Sequence, residues 1–191
     1  MRYRKRNVRH FKGFTAVAAM VLLSLPALGL AQGKSAKDLG ALHARLVKEV
    51  RHELVMLPYY SLFDNLSFEI QGVDTVVLSG QVTRPTLKSD AENAVKQLES
   101  VGKVVNNIEV LPLSTMDDQI RIAAYRAIYS KPGLDRYALQ AIPPIHIIVK
   151  SGHITLTGVV STEMDKNLAE IAAKGVPGAF SVTNDLRIEG K

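Results

Sequence analysis

The chain has 191 residues and no cysteine, with 47% apolar and 22% charged residues and a formal net charge of +6. This composition suits packed globular structure and excludes a polytopic membrane protein or a disordered chain. Lack of cysteine excludes a disulfide framework, a zinc finger, an iron–sulfur site, a thiol nucleophile and a lipid-modified N-terminal cysteine. The positive charge sits in one place: Arg2, Arg4, Lys5, Arg6, Arg9 and Lys12 fall within residues 1–31, where there is no acid, and they account for the whole excess.

The first 31 residues carry the three parts of an export signal. A basic stretch is followed by an uncharged run from Phe14 to Leu30, broken by Pro26 and Gly29. Gly29 and Ala31 then supply small residues at the minus-three and minus-one positions of a cleavage site before Gln32. The expectation is a cleaved signal and a periplasmic or secreted protein. The other reading is an uncleaved N-terminal anchor, for which the run is short. Gly33-Lys34-Ser35 is not a phosphate loop, because the glycine such a loop needs at position 28 is Leu28.

The rest of the chain is a repeat. Val77–Val82 reads VLSGQV and Thr155–Val160 reads TLTGVV, 78 residues apart. The same offset pairs Leu78 with Leu156, Gly80 with Gly158, Glu92 with Glu170, Asn106 with Asn184, and Val110 with Ile188. Self-similarity at a fixed period signals duplicated structural units. The halves run from about 36 to 113 and from 114 to 191.

In chain order, Leu39, Leu42, Leu46, Val50, Leu54 and Leu57 form one apolar stripe and predict a helix over 36–57, ended by Pro58. Strands are expected at 66–71 and 75–82 around a short polar turn, a helix over 87–99, and a last strand over 104–111. The second half repeats this order: helix 116–129, strand 145–149, turn at Ser151-Gly152, strand 153–160, helix 163–174 and strand 180–188. The fold class is therefore α+β: two αββαβ modules, each a three-stranded mixed sheet with both helices on one face, since each helix has a single apolar stripe. Adjacent Ile147 and Ile148 must point to opposite faces. One of them then lies on the open face of the second sheet, a docking surface between the units or for a partner, and the alternative function is a protein-interaction or chaperone-like module using that face.

Ile154, Leu156, Gly158, Val160, a helix, then Val182, Asn184, Leu186 and Ile188 resemble the BON domain. Val76, Leu78, Gly80 and Val82, then Val104, Asn106, Ile108 and Val110, do so again. The resemblance implies a tandem pair, with residues 1–31 as signal peptide, 32–42 as linker and start of the first helix, 43–113 as the first domain and 114–190 as the second. It implies a non-enzymatic protein of the periplasm or outer membrane, linked to osmotic and envelope stress, that binds phospholipid surfaces or other envelope proteins. The family supplies no catalytic residue and no cofactor.

Gly80 and Gly158 read as points where a helix crosses the sheet, and Asn106 and Asn184 as residues bonding adjacent backbone at the final strand. On the first helix of the second unit, Arg121, Tyr125, Arg126 and Tyr129, with Lys131 beyond, place cations beside tyrosines. Such a set suits a peripheral contact with an anionic phospholipid surface. The alternative reading is an ordinary solvated helix face. His146 and His153 are expected as exposed diagonal neighbours on the hairpin without a third ligand, so no metal site is expected. A chain balanced in charge after its leader lacks the footprint of a nucleic-acid binder.

Overall fold

The computed structural model describes residues 36–190, and the expected export signal lies outside them. The described residues form one compact unit. It contains two α+β modules, each with its own apolar core.

The first module consists of α1 (Ala36–Val55), β1 (Asn65–Gln71), β2 (Thr75–Val82), α2 (Pro85–Lys96), β3 (Lys103–Asn106) and β4 (Glu109–Val110). β1 and β2 are an antiparallel hairpin, and β3 and β4 both run parallel to β2. The second consists of α3 (Thr115–Tyr129), a short 3-10 turn (Asp135–Leu139), β5 (Ile145–Lys150), β6 (His153–Val160), α4 (Glu163–Lys174) and β7 (Ser181–Ile188). β6 pairs antiparallel with β5 and parallel with β7. Val76, Leu78 and Val82 in one module, and Ile154, Leu156 and Val160 in the other, are buried in the two cores. They alternate along the central strand as a half-buried strand requires.

The expected last strand of module one is interrupted at Asn107 and Ile108. Asn107 N donates to Leu78 O, and the Asn106 side chain accepts from Ile108 N at 3.1 Å. The Asn106 amide also donates to Lys88 O at 2.9 Å and to Glu92 Oε2 at 3.0 Å. Asn184 does the same with Lys166 O and Glu170 Oε2, both at 3.0 Å. Each asparagine therefore ties its last strand to the second helix, besides bonding its own backbone. Lysines one turn on, Lys96 and Lys174, pair with the same glutamates. Hydrogen bonds from the lysine and then the asparagine hold both carboxyls below their usual range.

The two mid-strand glycines have a different cause from the one expected. Gly80 has φ 115° and Gly158 φ 120°. A Cβ would stand 2.0 Å from Asn65 O in the first case and 1.9 Å from Pro144 O in the second. The close neighbour is the carbonyl leading into the adjacent strand, not a crossing helix. Positive φ and this approach together require glycine.

Candidate functional site

α3 is capped by Ser114, whose side chain accepts from Asp117 N. Its apolar stripe of Ile120, Ala124 and Ile128 is buried in the second core. The flank at 117, 121, 125 and 129 steps by four residues and lies along β5. Asp117 is buried and accepts from Ser151 N at 2.9 Å and Gly152 N at 2.8 Å, closing the β5–β6 turn. Ser151 and Gly152 both have positive φ, as the primed hairpin turns need.

Arg121 and Tyr129 are not surface residues. Arg121 is 5% exposed, pairs with Asp118 and donates through Nη2 to Val149 O at 2.7 Å. Tyr129 is 7% exposed and donates to Ile145 O at 2.8 Å. Burial pushes the Tyr129 phenol well above its ordinary range, which keeps it a neutral donor. Both satisfy carbonyls on the outer edge of β5, and neither is presented for contact with a membrane. Tyr125, Arg126 and Lys131 are exposed. Ile122 stands with them, 47% exposed on the outer face of α3.

Both isoleucines of β5 are buried. Ile147 lies in the second core. Ile148 lies on the opposite face, yet is only 4% exposed, in a cleft it shares with Gln81, Glu109 and Leu111 of module one. Lys150 Nζ and Glu109 Oε1 are 2.5 Å apart across that cleft. The open face of the second sheet is thus partly spent on contact between the modules.

A second contact comes from the α1–β1 connection. Leu62 and Phe63 pack against the second core, and Leu62 O accepts from Ile147 N at 2.8 Å. Asp64 is fully buried and accepts from Thr83 N, Thr83 Oγ1, Ser61 N and Ser61 Oγ. His146 is not exposed: its ring lies 5.8 Å from that of Tyr60, and its Nδ1 donates to Asp64 O at 2.6 Å. Burial lowers its basicity, and the Asp64 carbonyl offsets only part of that. Nor is it a neighbour of His153. The two-residue turn sets His153 opposite Lys150 and His146 opposite Thr157, at the two ends of the hairpin. His153 contacts Ser181 and Phe180 instead. No periodicity marks Tyr60–Asp64, so the sequence gives no sign of its role beyond an aromatic-rich stretch.

Among the described residues no group of three or more His, Cys, Asp or Glu could hold a metal ion. Among the same residues no helix is long and apolar enough to cross a membrane.

Two helix-backed mixed sheets of the same connectivity, with matching glycines and asparagines, define a tandem α+β protein built by duplication. The BON domain family matches residues 44–112 and 133–190, and the chain belongs to that family. No curated protein matches it. Among solved structures it is similar to the C-terminal domain of CdsD, described as the structural protein of the type III secretion system of Chlamydia trachomatis. Identity is 14%, covering 75% of this chain and 96% of that one, with a TM-score of 0.27. A second structure of CdsD is similar at 13% identity, covering 76% and 94%, also with a TM-score of 0.27.

Proposed function

We propose that this is an exported, non-enzymatic protein of the periplasm or cell envelope that binds anionic phospholipid surfaces peripherally and supports envelope integrity or stress tolerance. The observation that carries this reading is the outer face of α3. Ile122 and Tyr125 are exposed there beside the cation Arg126, with Lys131 just past the helix end. Asp118, on the same helix, is matched by Arg121. An exposed apolar side chain enters the headgroup boundary, a tyrosine ring sits at the polar interface, and each nearby cation adds about 1 kcal/mol on an anionic leaflet. Binding of this kind is weak, reversible and screened by salt.

Co-sedimentation of the exported protein with vesicles tests this. Phosphatidylglycerol vesicles are expected to retain it at low salt and release it as salt rises, while phosphatidylcholine vesicles retain little. Arg126→Glu is expected to abolish the difference. Equal binding to both vesicle types, unchanged by Arg126→Glu, would refute the reading.

A further inference from the structure

Each of the three outward residues of β5 has one backbone group taken up: Arg121 reaches Val149 O, Leu62 O takes Ile147 N–H, and Tyr129 reaches Ile145 O. β1 is its counterpart, because Leu66 faces Gly80 as Ile145 faces Gly158. Leu66, Phe68 and Ile70 therefore present their backbone outward as Ile145, Ile147 and Val149 do. Superposing the buried triplet Leu46, Val50 and Leu54 on Ile120, Ala124 and Ile128 puts Val47 in the place of Arg121. It likewise puts Val55 in the place of Tyr129 and Ala44 in that of Asp118. Valine cannot bond a carbonyl. Tyr60 meets the backbone at Leu66, but beyond it the edge is bare. Among the described residues no strand pairs with the outer side of β1. No side chain among them bonds the backbone of Phe68 or Ile70. The cores differ accordingly: Ile145, Ile147 and Val149 are fully buried, whereas Leu66, Phe68 and Ile70 are half-buried.

This edge opens into a groove of about 970 Å³. Val47 and Val55 form one wall, and Pro144 and Val159 belong to the other. Arg51 and Arg187 also line it, against the single carboxylate of Glu69. An edge with unpaired N–H and C=O groups is a template for another strand unless something blunts it. A phospholipid brings acceptors but no regular row of donors. An extended polypeptide brings both, repeating every two residues at the spacing of β1.

We propose that the groove takes up an extended segment of a partner protein as an added strand on β1. Its apolar side chains alternate toward Val47 and Val55, and an acidic side chain meets Arg51 and Arg187. This site is separate from the α3 surface.

The test uses the exported protein and an acetylated hexapeptide of alternating valine and threonine containing one glutamate, with a lysine-for-glutamate peptide as control. Saturable binding is expected, with exchange of the Phe68 and Ile70 amides slowed at least about tenfold, as for an opened edge that becomes paired. The A44D/V47R/V55Y variant copies the closure seen on β5. It is expected to weaken binding at least about tenfold, more than 1.4 kcal/mol, with an undiminished melting temperature. Should that variant not fold, Val47→Arg alone, aimed at Ile70 as Arg121 is at Val149, is expected to weaken binding in the same direction. The proposal is overturned if the peptide leaves Phe68 and Ile70 unprotected, if the lysine peptide binds as well, or if a folded closure variant binds as tightly as the parent. Protection of these amides by self-association, or by vesicles in place of peptide, overturns it as well. Vesicle binding lost with Arg126→Glu is read independently of all these outcomes.

Discussion

At the turn of the β-hairpin the two modules place the same backbone bond with opposite side chains. In module one Gly102 N donates to Asp74 O at 2.9 Å, and in module two Phe180 N donates to Gly152 O at 2.8 Å. The 78-residue offset pairs Asp74 with Gly152 and Gly102 with Phe180. A Cβ on Gly102 would fall 2.0 Å from Asp74 Oδ2, and one on Gly152 would fall 2.6 Å from the Phe180 ring. One partner must have no side chain so that the other can lie across it, but which partner is free to differ. The start of the second helix differs more deeply. α4 has a full capping box, with Thr162 and Asp165 exchanging bonds. Asp165 also receives Tyr137 Oη at 3.1 Å and Arg136 Nη2 at 2.7 Å. α2 starts at Pro85 after Arg84, which makes no side-chain cap bond. There Asp64, from the far side of the hairpin, holds Thr83 instead. The repeat thus preserves backbone geometry, while local polar solutions have diverged.

The largest effect is expected where the modules are most alike. Gly80→Ala and Gly158→Ala should each cost roughly 3 kcal/mol or more, because a strained φ and a clash with a carbonyl act together. Urea unfolding followed by circular dichroism checks this, and a small cost at one glycine only would break the equivalence. Next is Asp165→Ala, expected to lose about 2 kcal/mol by removing a cap and leaving Tyr137 and Arg136 without their acceptor. Arg84→Ser should gain up to about 1 kcal/mol in module one by supplying the missing cap. Gly102→Phe should cost about 1–3 kcal/mol by overpacking against Asp74, and adding Asp74→Gly should restore most of it. A double variant no better than the single one would mean that the glycine exchange is not reciprocal.

The smallest effect concerns pH. Burial lowers the folded-state value of His146 below the ordinary imidazole value of about 6.5, so the fold favours the neutral ring. Its contribution is complete above about 6.5 and declines as pH falls through the lower folded value. Module one has Ser67 where module two has His146. Melting temperatures between pH 7.5 and 5 should therefore decline more in the parent than in His146→Gln. The excess of the parent over the variant is expected to be below about 1 kcal/mol.

Much of the fold is legible in the sequence because periodicity and punctuation agree. β6 and α4 occupy the residues expected, bounded by the Ser151-Gly152 turn and by Thr162 and Gly175. α1 ends at Val55, two residues before its last core leucine, and α2 starts at Pro85, where proline fits a first helical turn. The amphipathic stripe of α3 is equally readable. What the stripe does not encode is which positions of its flank meet a strand edge. Arg121 and Tyr125 both border the core stripe in sequence, yet only Arg121 lies against a β5 carbonyl. Contact between modules is legible at Ile148, whose place beside Ile147 puts it on the open face, but not in the α1–β1 connection. Leu62 and Phe63 carry no repeat signal, and their burial depends on how two folded units meet.

The bond from Ile147 N to Leu62 O has a bearing on any attempt to take this protein apart. A segment of the first module thus supplies part of the rim of the second module's sheet. Cutting at the Leu111–Thr115 connection would take that partner from Ile147 N–H and open the middle of β5 to strand exchange between molecules. The C-terminal half liberated this way should aggregate, and the halves should regain solubility when mixed.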